Sequence, residues 1–354
     1  MKIDYSYQSK AATQVLKNAL NNKFLASVLA ACPSSGKSTI SHIIINQYVQ
    51  MYPSAKIVVL TEGQNTLKIQ YLEELKSPNV KINFTFGLFG SNSQVQVGLP
   101  QSINNLKWDN IDLLISDEAH NWYLAPTVQK IVSRLKPTNT ILMTGSPTKY
   151  NAHNQNTTSR KFGMHYISAE DLKKQGVFST ADLDVVKVEN KKDPIQTIKG
   201  VLIHANKEKI NTDKIMVACP NIRYARVVST YLNGIGRTVS LSTSEDVRSD
   251  LEISRFKNGE TDTLVVVNKG ILGFNDKNMT ALFDLKSSSN VDTSYQLFAR
   301  ILRIHPNKVK KSYIRVSDND YNNQVLMLHK MMALMKTEIF KGFTGKNLKM
   351  EIAA

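Results

Sequence analysis

The stretch ACPSSGKST, residues 31–39, has the residue types of a phosphate-binding loop. It follows an apolar run typical of a buried strand and precedes a helical pattern, which is the context that such a loop needs. In this setting the backbone N–H groups and the helix N-terminus surround the phosphates of a nucleotide. Gly36 lets the backbone approach phosphate, Lys37 contacts the β- and γ-phosphates, and the Ser38 hydroxyl coordinates Mg²⁺.

Two glycines of the usual loop pattern are missing. Ala31 stands at the first position and Ser34 at the interior one. A serine-rich turn between a strand and a helix is therefore an alternative interpretation of this stretch. If the loop binds nucleotide, we expect the contacts to come from Pro33, Ser34, Ser35, Gly36, Lys37, Ser38 and Thr39.

Two adjacent acids form the second chemical feature. The stretch IDLLISDEAH, residues 111–120, places Asp117 and Glu118 after an apolar run. A phosphate loop needs a carboxylate at the end of another strand, where it holds Mg²⁺ and polarises the attacking water. We expect Asp117 to serve the metal and Glu118 to act as general base. An acid-rich helix N-terminus is the alternative, and the presence of both motifs in order makes it the weaker one.

These residues need a scaffold of buried strands separated by helices, and the hydrophobic pattern predicts one. Short apolar runs predict parallel strands, and the amphipathic runs between them predict helices. In the first half the strands are predicted at 26–32, 56–60, 111–116 and 140–143. In the second half they are predicted at 215–218, 237–241, 263–267 and 280–285, with helices at 221–233 and 246–257. The alternation predicts an α/β fold with two sheets in tandem.

The predicted division falls in the polar stretch 149–161, which has few apolar residues to bury. We therefore expect a first domain at 1–150 and a second at 151–320. A helical tail at 321–354, rich in Met and Leu, follows them.

The charge favours a polyanionic partner. Lys and Arg number 45 against 29 Asp and Glu, which gives a net charge of +16. Nucleic acid is the simplest partner for such an excess, and a solvated basic surface is the alternative. The two cysteines are far apart in the sequence, and no apolar run is long enough to span a membrane. Together with an N-terminus that lacks a signal-peptide pattern, this predicts a cytoplasmic protein.

The DEAH stretch resembles the corresponding motif of superfamily 2 helicases and translocases. Further segments are similar to the other motifs of that family in the same order. They are Tyr7-Gln8, VVLTEGQNTLKIQ (58–70), VGLPQSI (97–103), TGSPT (144–148), MVACPNIRYARVVSTYL (216–232), RSDLEISRFKNGETDTLVVVNKGILGFND (248–276) and QLFARILRIHP (296–306). The resemblance implies two RecA-like domains with the ATP site in the cleft between them, and ATP and Mg²⁺ as cofactors.

The resemblance also implies roles for individual residues. Gln8 reads adenine, Gly273 and Asn275 contribute to nucleotide binding, and Arg300 and Arg303 reach the γ-phosphate. Coupling between hydrolysis and movement is implied for Thr144, Ser146, Thr148 and Gln296. Contacts to the nucleic-acid strand are implied for Thr61, Gln101, Ser102, Asn221, Thr243 and Lys269.

Three residues depart from the family pattern. Ser34 and Ala299 replace glycines, and Asn275 replaces an aspartate, which puts tight ATP binding in doubt. The nearest likeness is to small phage helicases that act on branched DNA in replication, recombination or repair, with the host cytoplasm as their location. An RNA helicase and a nucleic-acid clamp with weak ATP turnover are the alternatives. The small size also leaves room for a protein partner that supplies specificity.

Overall fold

The computed structural model describes residues 6–61, 68, 71–73, 82–119, 123, 125–179, 181–267, 276–307 and 309–334. These residues form two compact units that divide between Asp171 and Leu172. Each unit contains one parallel β-sheet with helices packed against it. The expected fold class is confirmed, since both units have the RecA-like α/β arrangement.

The first unit has a seven-stranded sheet in the order β3-β4-β2-β5-β6-β1-β7. All neighbouring strands are parallel. The inner strands are apolar and buried along their whole length, as strands covered by helices on both faces must be. The strands are β1 Phe24–Ala31, β2 Ile57–Leu60, β3 Phe86–Leu88, β4 Val95–Gly98, β5 Leu113–Ser116, β6 Asn139–Thr144 and β7 Lys161–Ile167.

The helices of the first unit pack against this sheet. Helix α1 buries an apolar stripe that includes Ala11, Ala12, Val15 and Leu16, and it lies against α2 and β1. The helices are α1 Ser6–Ala19, α2 Lys37–Met51, a 3₁₀ helix at Pro100–Asn105, α3 Pro126–Leu135 and α4 Thr148–Asn156. A short helix, α5 Ala169–Lys174, spans the division between the units.

The second unit has a six-stranded parallel sheet in the order β10-β11-β9-β12-β13-β8. Its strands are β8 Ala181–Lys187, β9 Ile215–Ala218, β10 Val239–Ser242, β11 Thr263–Val266, β12 Ala281–Asp284 and β13 Lys311–Ser317. Its helices are α6 Pro194–Lys207, α7 Ile222–Gly234, α8 Ser249–Lys257, α9 Val291–Phe298 and α10 Tyr321–Leu334. Among the described residues, no helix is long and apolar enough to cross a membrane.

The boundary between the units differs from the sequence prediction. The first unit continues to Asp171, because strand β7 pairs with β1 over registers such as Val28 with Met164. The polar stretch 149–161 is therefore not a linker. Most of it is helix α4, which anchors itself through the buried side chain of Tyr150.

The predicted helical tail also belongs to the second unit in its described part. Helix α10 packs against β8, β13 and α9, while residues 335–354 lie outside the described residues. Strand β13 was not predicted, because Lys311 and Arg315 interrupt its apolar pattern. Both side chains are fully buried. Arg315 Nη1 lies 3.1 Å from Asp284 Oδ2, and its Nη2 donates to Gln324 Oε1 of α10 at 2.8 Å.

Candidate nucleotide-binding site

Three predicted motifs lie side by side at the carboxyl edge of the first sheet. The phosphate loop follows β1, the TGS segment follows β6, and the two acids follow β5. Strand β6 lies between the other two, so β1 and β5 are about 10 Å apart. Ligands of open α/β sheets bind at this edge. The sheet order thus brings together residues that are far apart in the sequence.

The phosphate loop has two residues in the left-handed backbone conformation, Ser34 with φ 66° and Gly36 with φ 83°. Gly36 is the N-cap of α2, so the first N–H groups of that helix are not capped by a side chain. A Cβ atom at Gly36 would lie 2.5 Å from Gln8 Nε2 and would force that side chain to move, and the φ of 83° strains any residue other than glycine. The left-handed conformation of Ser34 is unfavourable for serine, whereas glycine adopts it without strain.

The first turn of α1 contacts the loop through two side chains. Gln8, predicted to read adenine, is buried and lies over Gly36. The Tyr7 hydroxyl donates a hydrogen bond to the Ser35 carbonyl at 2.7 Å. Sequence analysis noted Tyr7 only as part of the Tyr7-Gln8 pair and gave it no role of its own. Its position next to Gln8 was the only signal in the sequence.

The two acids lie close to the loop lysine. Lys37 Nζ is 3.5 Å from Glu118 Oε1, and the two side chains are 9% and 18% exposed. Glu118 has φ 44°, an uncommon backbone conformation for a residue other than glycine and one that clusters at functional sites. Its N–H donates to Asp117 Oδ1 at 2.9 Å. The structure therefore brings the predicted phosphate-binding lysine and the predicted general base together, with Asp117 beside them.

Backbone hydrogen bonds to both neighbouring strands hold the acidic turn. The Asp117 N–H donates to the Leu60 carbonyl at 2.8 Å, and the Ala119 N–H donates to the Met143 carbonyl at 2.9 Å. The hydroxyl of Tyr150 in α4 donates to the Ala119 carbonyl at 2.9 Å. Burial raises the pKa of this tyrosine, so it stays a donor. The turn is thus tied to the segment that follows the TGS motif.

The predicted coupling residues of the first unit are Thr144 and Ser146, in the TGS motif itself, and Thr148, which follows it. Thr144 and Ser146 are buried, and the Ser146 N–H donates to Thr144 Oγ1 at 2.9 Å. A Cβ atom at Gly145 would lie 3.4 Å from Pro33 Cγ, so the segment runs close to the phosphate loop. The backbone of Thr148 begins helix α4. These contacts connect the loop, the acids and the coupling segment within one unit.

A buried histidine lies one turn into the helix that the loop begins. His42 of α2 is 1% exposed, and its ring packs edge-on against the Tyr71 ring at 4.9 Å. Burial lowers the pKa of His42 to about 4. The imidazole is therefore neutral at neutral pH and adds no charge to the neighbourhood of Lys37.

The residues of this site fit the phosphates of ATP and a magnesium ion. The left-handed glycine, the uncapped start of α2 and Lys37 are the elements that hold a phosphate chain. Mg²⁺ takes one or two carboxylates together with phosphate oxygens and waters, which suits Asp117 and Ser38. Within the described ranges, no three His, Cys, Asp or Glu side chains form a metal-binding group. A cage made of protein ligands alone is thus not found in that part of the chain.

The predicted arginines lie in the second unit, at the end of α9. Gln296 is on the helix, Arg300 follows its C-cap and is 8% exposed, and Arg303 is half-buried. Ala299 has φ −61°, so the glycine of the family pattern is not needed for its backbone. The Arg303 backbone forms a bridge to Phe178. Gly273 and Asn275, also predicted to contact nucleotide, lie outside the described residues.

The predicted nucleic-acid contacts divide into exposed and buried side chains. Gln101 and Asn221 are exposed. Thr61 and Thr243 are only 1% and 2% exposed, so their hydroxyls are not on the surface.

Two further residues of this set need separate description. The Ser102 hydroxyl donates to the Leu99 carbonyl at 2.9 Å and accepts from the Leu99 N–H, because it caps the 3₁₀ helix. Lys269 lies outside the described residues. Asn221 is exposed, but its Oδ1 accepts from the Tyr224 N–H at 2.9 Å as the N-cap of α7. Gln101 is therefore the member of the set whose described geometry best suits contact with a strand.

Comparison with known proteins gives a family match for the first unit. Residues 2–149 match the family model described as "Type III restriction enzyme, res subunit". No curated protein sequence matches the chain.

Solved structures with the same fold are similar over nearly the whole chain. S. cerevisiae Dbp5 bound to RNA and ADP BeF3 is 15% identical, with a TM-score of 0.67 over 92% of this chain and 87% of that one. The ATP-dependent Type ISP restriction-modification enzyme LlaBIII bound to DNA is 14% identical, with a TM-score of 0.67 over 96% of this chain. The chain corresponds to 30% of the LlaBIII chain. The solved structures show the shared fold. The family match supports an enzyme of the helicase-type, nucleic-acid-dependent ATPase class.

Proposed function

We propose that the chain is an ATP-dependent DNA helicase or translocase, which hydrolyses ATP to move on or unwind DNA. The observation that carries the proposal is the approach of Lys37 to Glu118 beside Asp117, at the carboxyl edge of a parallel sheet. An acid-rich turn without catalytic function does not require a lysine from a left-handed phosphate loop at 3.5 Å. Phosphoanhydride hydrolysis needs a lysine at the phosphates and an acid at the attacking water, and these two side chains lie close enough together to serve one nucleotide.

Each residue of the site then has a distinct task. The N–H groups of the loop and Lys37 bind the β- and γ-phosphates and neutralise their charge. Ser38 and Asp117 would hold Mg²⁺, which would supply Lewis-acid polarisation of the transferred phosphate when bound. Glu118 accepts a proton from the attacking water. Arg300 and Arg303 supply positive charge to the transferred phosphate, a contribution worth ~10³–10⁵ in rate for such arginines.

The net charge of +16 supports a nucleic-acid substrate, whether DNA or RNA. Two comparisons make DNA the preferred one in this proposal. The matching family model is named for a restriction enzyme, and LlaBIII, which shares the fold, is described as bound to DNA. We extend the proposal to the DEAH type, to a role in recombination or repair, and to a phage-encoded protein acting in the host cytoplasm. These follow from the sequence resemblance.

An RNA helicase is the second candidate. The likeness to Dbp5, which is described as bound to RNA, favours it. The experiment that separates the two measures ATP hydrolysis with and without single-stranded DNA, forked DNA, four-way DNA and single-stranded RNA. We expect at least one DNA to stimulate hydrolysis more than RNA does. Stronger stimulation by RNA would transfer the proposal to the second candidate, and no stimulation by any of them would refute a motor.

The same hydrolysis assay on variants of the site tests the role proposed for each residue. Lys37→Ala and Glu118→Gln should both abolish hydrolysis, while Glu118→Gln should still bind ATP, because it removes the base and leaves the phosphate contacts. Asp109→Asn is the matched control, since it also converts an acid to an amide and its side chain is 83% exposed. Turnover in Glu118→Gln equal to that of the control would show that the base is assigned wrongly.

A further inference from the structure

Tyr7 forms the direct link between the first turn of α1 and the phosphate loop. Its hydroxyl donates to the Ser35 carbonyl at 2.7 Å, and both residues are buried, at 8% and 1% exposure. Gln8 Nε2 lies 3.4 Å from the same hydroxyl. The bond joins residues that are 28 positions apart in the sequence. A buried hydrogen bond of this length fixes the orientation of the carbonyl that accepts it.

The orientation of the Ser35 carbonyl determines the direction of the next N–H. The carbonyl of Ser35 and the N–H of Gly36 belong to one planar, trans peptide unit, so they point in opposite directions. A carbonyl held toward Tyr7 therefore turns the Gly36 N–H away from α1 and toward the other side of the loop. Gly36 caps α2, and the N–H groups at such a helix start are the donors that bind phosphate.

The loop needs this restraint because its backbone is strained. Ser34 has φ 66°, a left-handed conformation that is unfavourable for a residue other than glycine. Such conformations persist where surrounding contacts determine them. Contacts on the loop include the Tyr7 bond, a hydrogen bond from the Ser35 N–H to the Cys32 carbonyl at 3.2 Å, and one from the Cys32 N–H to the Ile167 carbonyl at 3.0 Å. The Tyr7 bond is the one of these three that acts on the peptide preceding Gly36.

We propose that Tyr7 is a positioning residue that orients the Gly36 N–H for the phosphates of a bound nucleotide. The inference rests on the proposed nucleotide site and assigns Tyr7 to the phosphates, whereas its neighbour Gln8 serves the base. In this role the Tyr7 hydroxyl acts through the peptide between Ser35 and Gly36, to whose carbonyl it donates.

Tyr7→Phe tests this role, because it removes the hydroxyl and keeps the ring. The measurement is competition of a fluorescent ADP analogue by ADP, by pyrophosphate and by adenosine on the full chain. We expect the affinities for ADP and pyrophosphate to fall about 3- to 10-fold, the size of one neutral hydrogen bond, with a smaller loss for adenosine, because Gln8 Nε2 also donates to the removed hydroxyl at 3.4 Å. A merely structural role, in which α1 shifts as a whole, would lower adenosine affinity to the same extent.

Tyr48→Phe is the matched control. The Tyr48 hydroxyl also donates to a backbone carbonyl, that of Asp112 at 3.1 Å, and the residue is 2% exposed in the same unit. Its removal should leave all three affinities at the wild-type values. Equal ADP and pyrophosphate affinities in Tyr7→Phe and wild type, or an equal loss for adenosine, would overturn the inference while leaving the proposed function intact. A wild-type chain that binds neither ADP nor pyrophosphate would overturn the proposed function and this inference together.

Discussion

Replacement of Ser34 by glycine should stabilise the protein, which is an unusual outcome for a substitution in a functional loop. Ser34 has φ 66°. A left-handed backbone costs a residue other than glycine about 1–2 kcal/mol, and glycine does not bear that cost. The same substitution makes the unfolded chain more flexible, which destabilises by about 0.4–1 kcal/mol. The net expectation is that the free energy of unfolding rises by about 0–1.6 kcal/mol, with a midpoint of about 0.8 kcal/mol.

The assay is unfolding of the full chain by heat and by urea. For a unit of this size, about 1 kcal/mol shifts Tm by roughly 2–4 °C, so Ser34→Gly should raise Tm by about 2–3 °C. Ser34→Ala should give no comparable gain, because alanine keeps the strained backbone and loses only the hydroxyl. The difference between the two variants therefore isolates the backbone contribution.

Two control substitutions calibrate the measurement. Lys136, the C-cap of α3, has φ 42° and is exposed, so Lys136→Gly should also stabilise, far from the loop. Ser133 lies inside α3, where glycine is less favourable than serine by about 0.5 kcal/mol, so Ser133→Gly should destabilise. The reasoning is refuted if Ser34→Gly lowers stability as Ser133→Gly does while Lys136→Gly raises it. That result would mean that Ser34 is not strained.

Three further predictions concern charge and burial. Asp284→Ala should lower the free energy of unfolding in urea by about 3–5 kcal/mol, because it leaves the buried Arg315 guanidinium without its carboxylate. The double variant Asp284→Leu with Arg315→Met should recover most of that loss. A loss below about 1 kcal/mol in the single variant would contradict a buried ion pair. The pKa of His42 is lowered to about 4 in the folded chain against 6.5 as reference, so the unfolded chain binds more protons between these values. Stability should thus rise by up to roughly 3 kcal/mol from pH 4 to 6.5, and His42→Leu should lack that part of the slope. Arg303→Ala should reduce ATP hydrolysis at least ~10³-fold with little change in ATP affinity, and equal losses in both would argue against a transition-state role.

The local patterns that predicted the inner strands were reliable because those strands are apolar throughout. The run at 215–218 forms β9 with the predicted bounds, and the runs at 263–267 and 280–285 each differ from β11 and β12 by a residue at one or both ends. Strands such as β13 and β7 were not predicted. Their sequences mix charged or polar residues with apolar ones, and the compensating partners come from distant parts of the chain.

The candidate site shows the same division. Its residue types follow from the sequence, since a Gly-Lys-Ser end and two adjacent acids already indicate phosphate and metal chemistry. The loop and the two acids come close together because β6 lies between β1 and β5. No local sequence pattern predicts that sheet order. The burial of Thr61 and Thr243 depends on the packing around each strand end, which no local sequence pattern indicates.

What the sequence by itself determined is the set of chemical groups and the class of fold, because strand and helix periodicities and short motifs are local. The tertiary structure decided the conformation of those groups. Ser34 has a left-handed backbone conformation, which is unfavourable for serine, and Ala299 has a helical conformation that does not require glycine. The Tyr7 hydroxyl forms a hydrogen bond with the phosphate loop. These outcomes depend on contacts between residues far apart in the chain, and such contacts exist only after the sheet has formed.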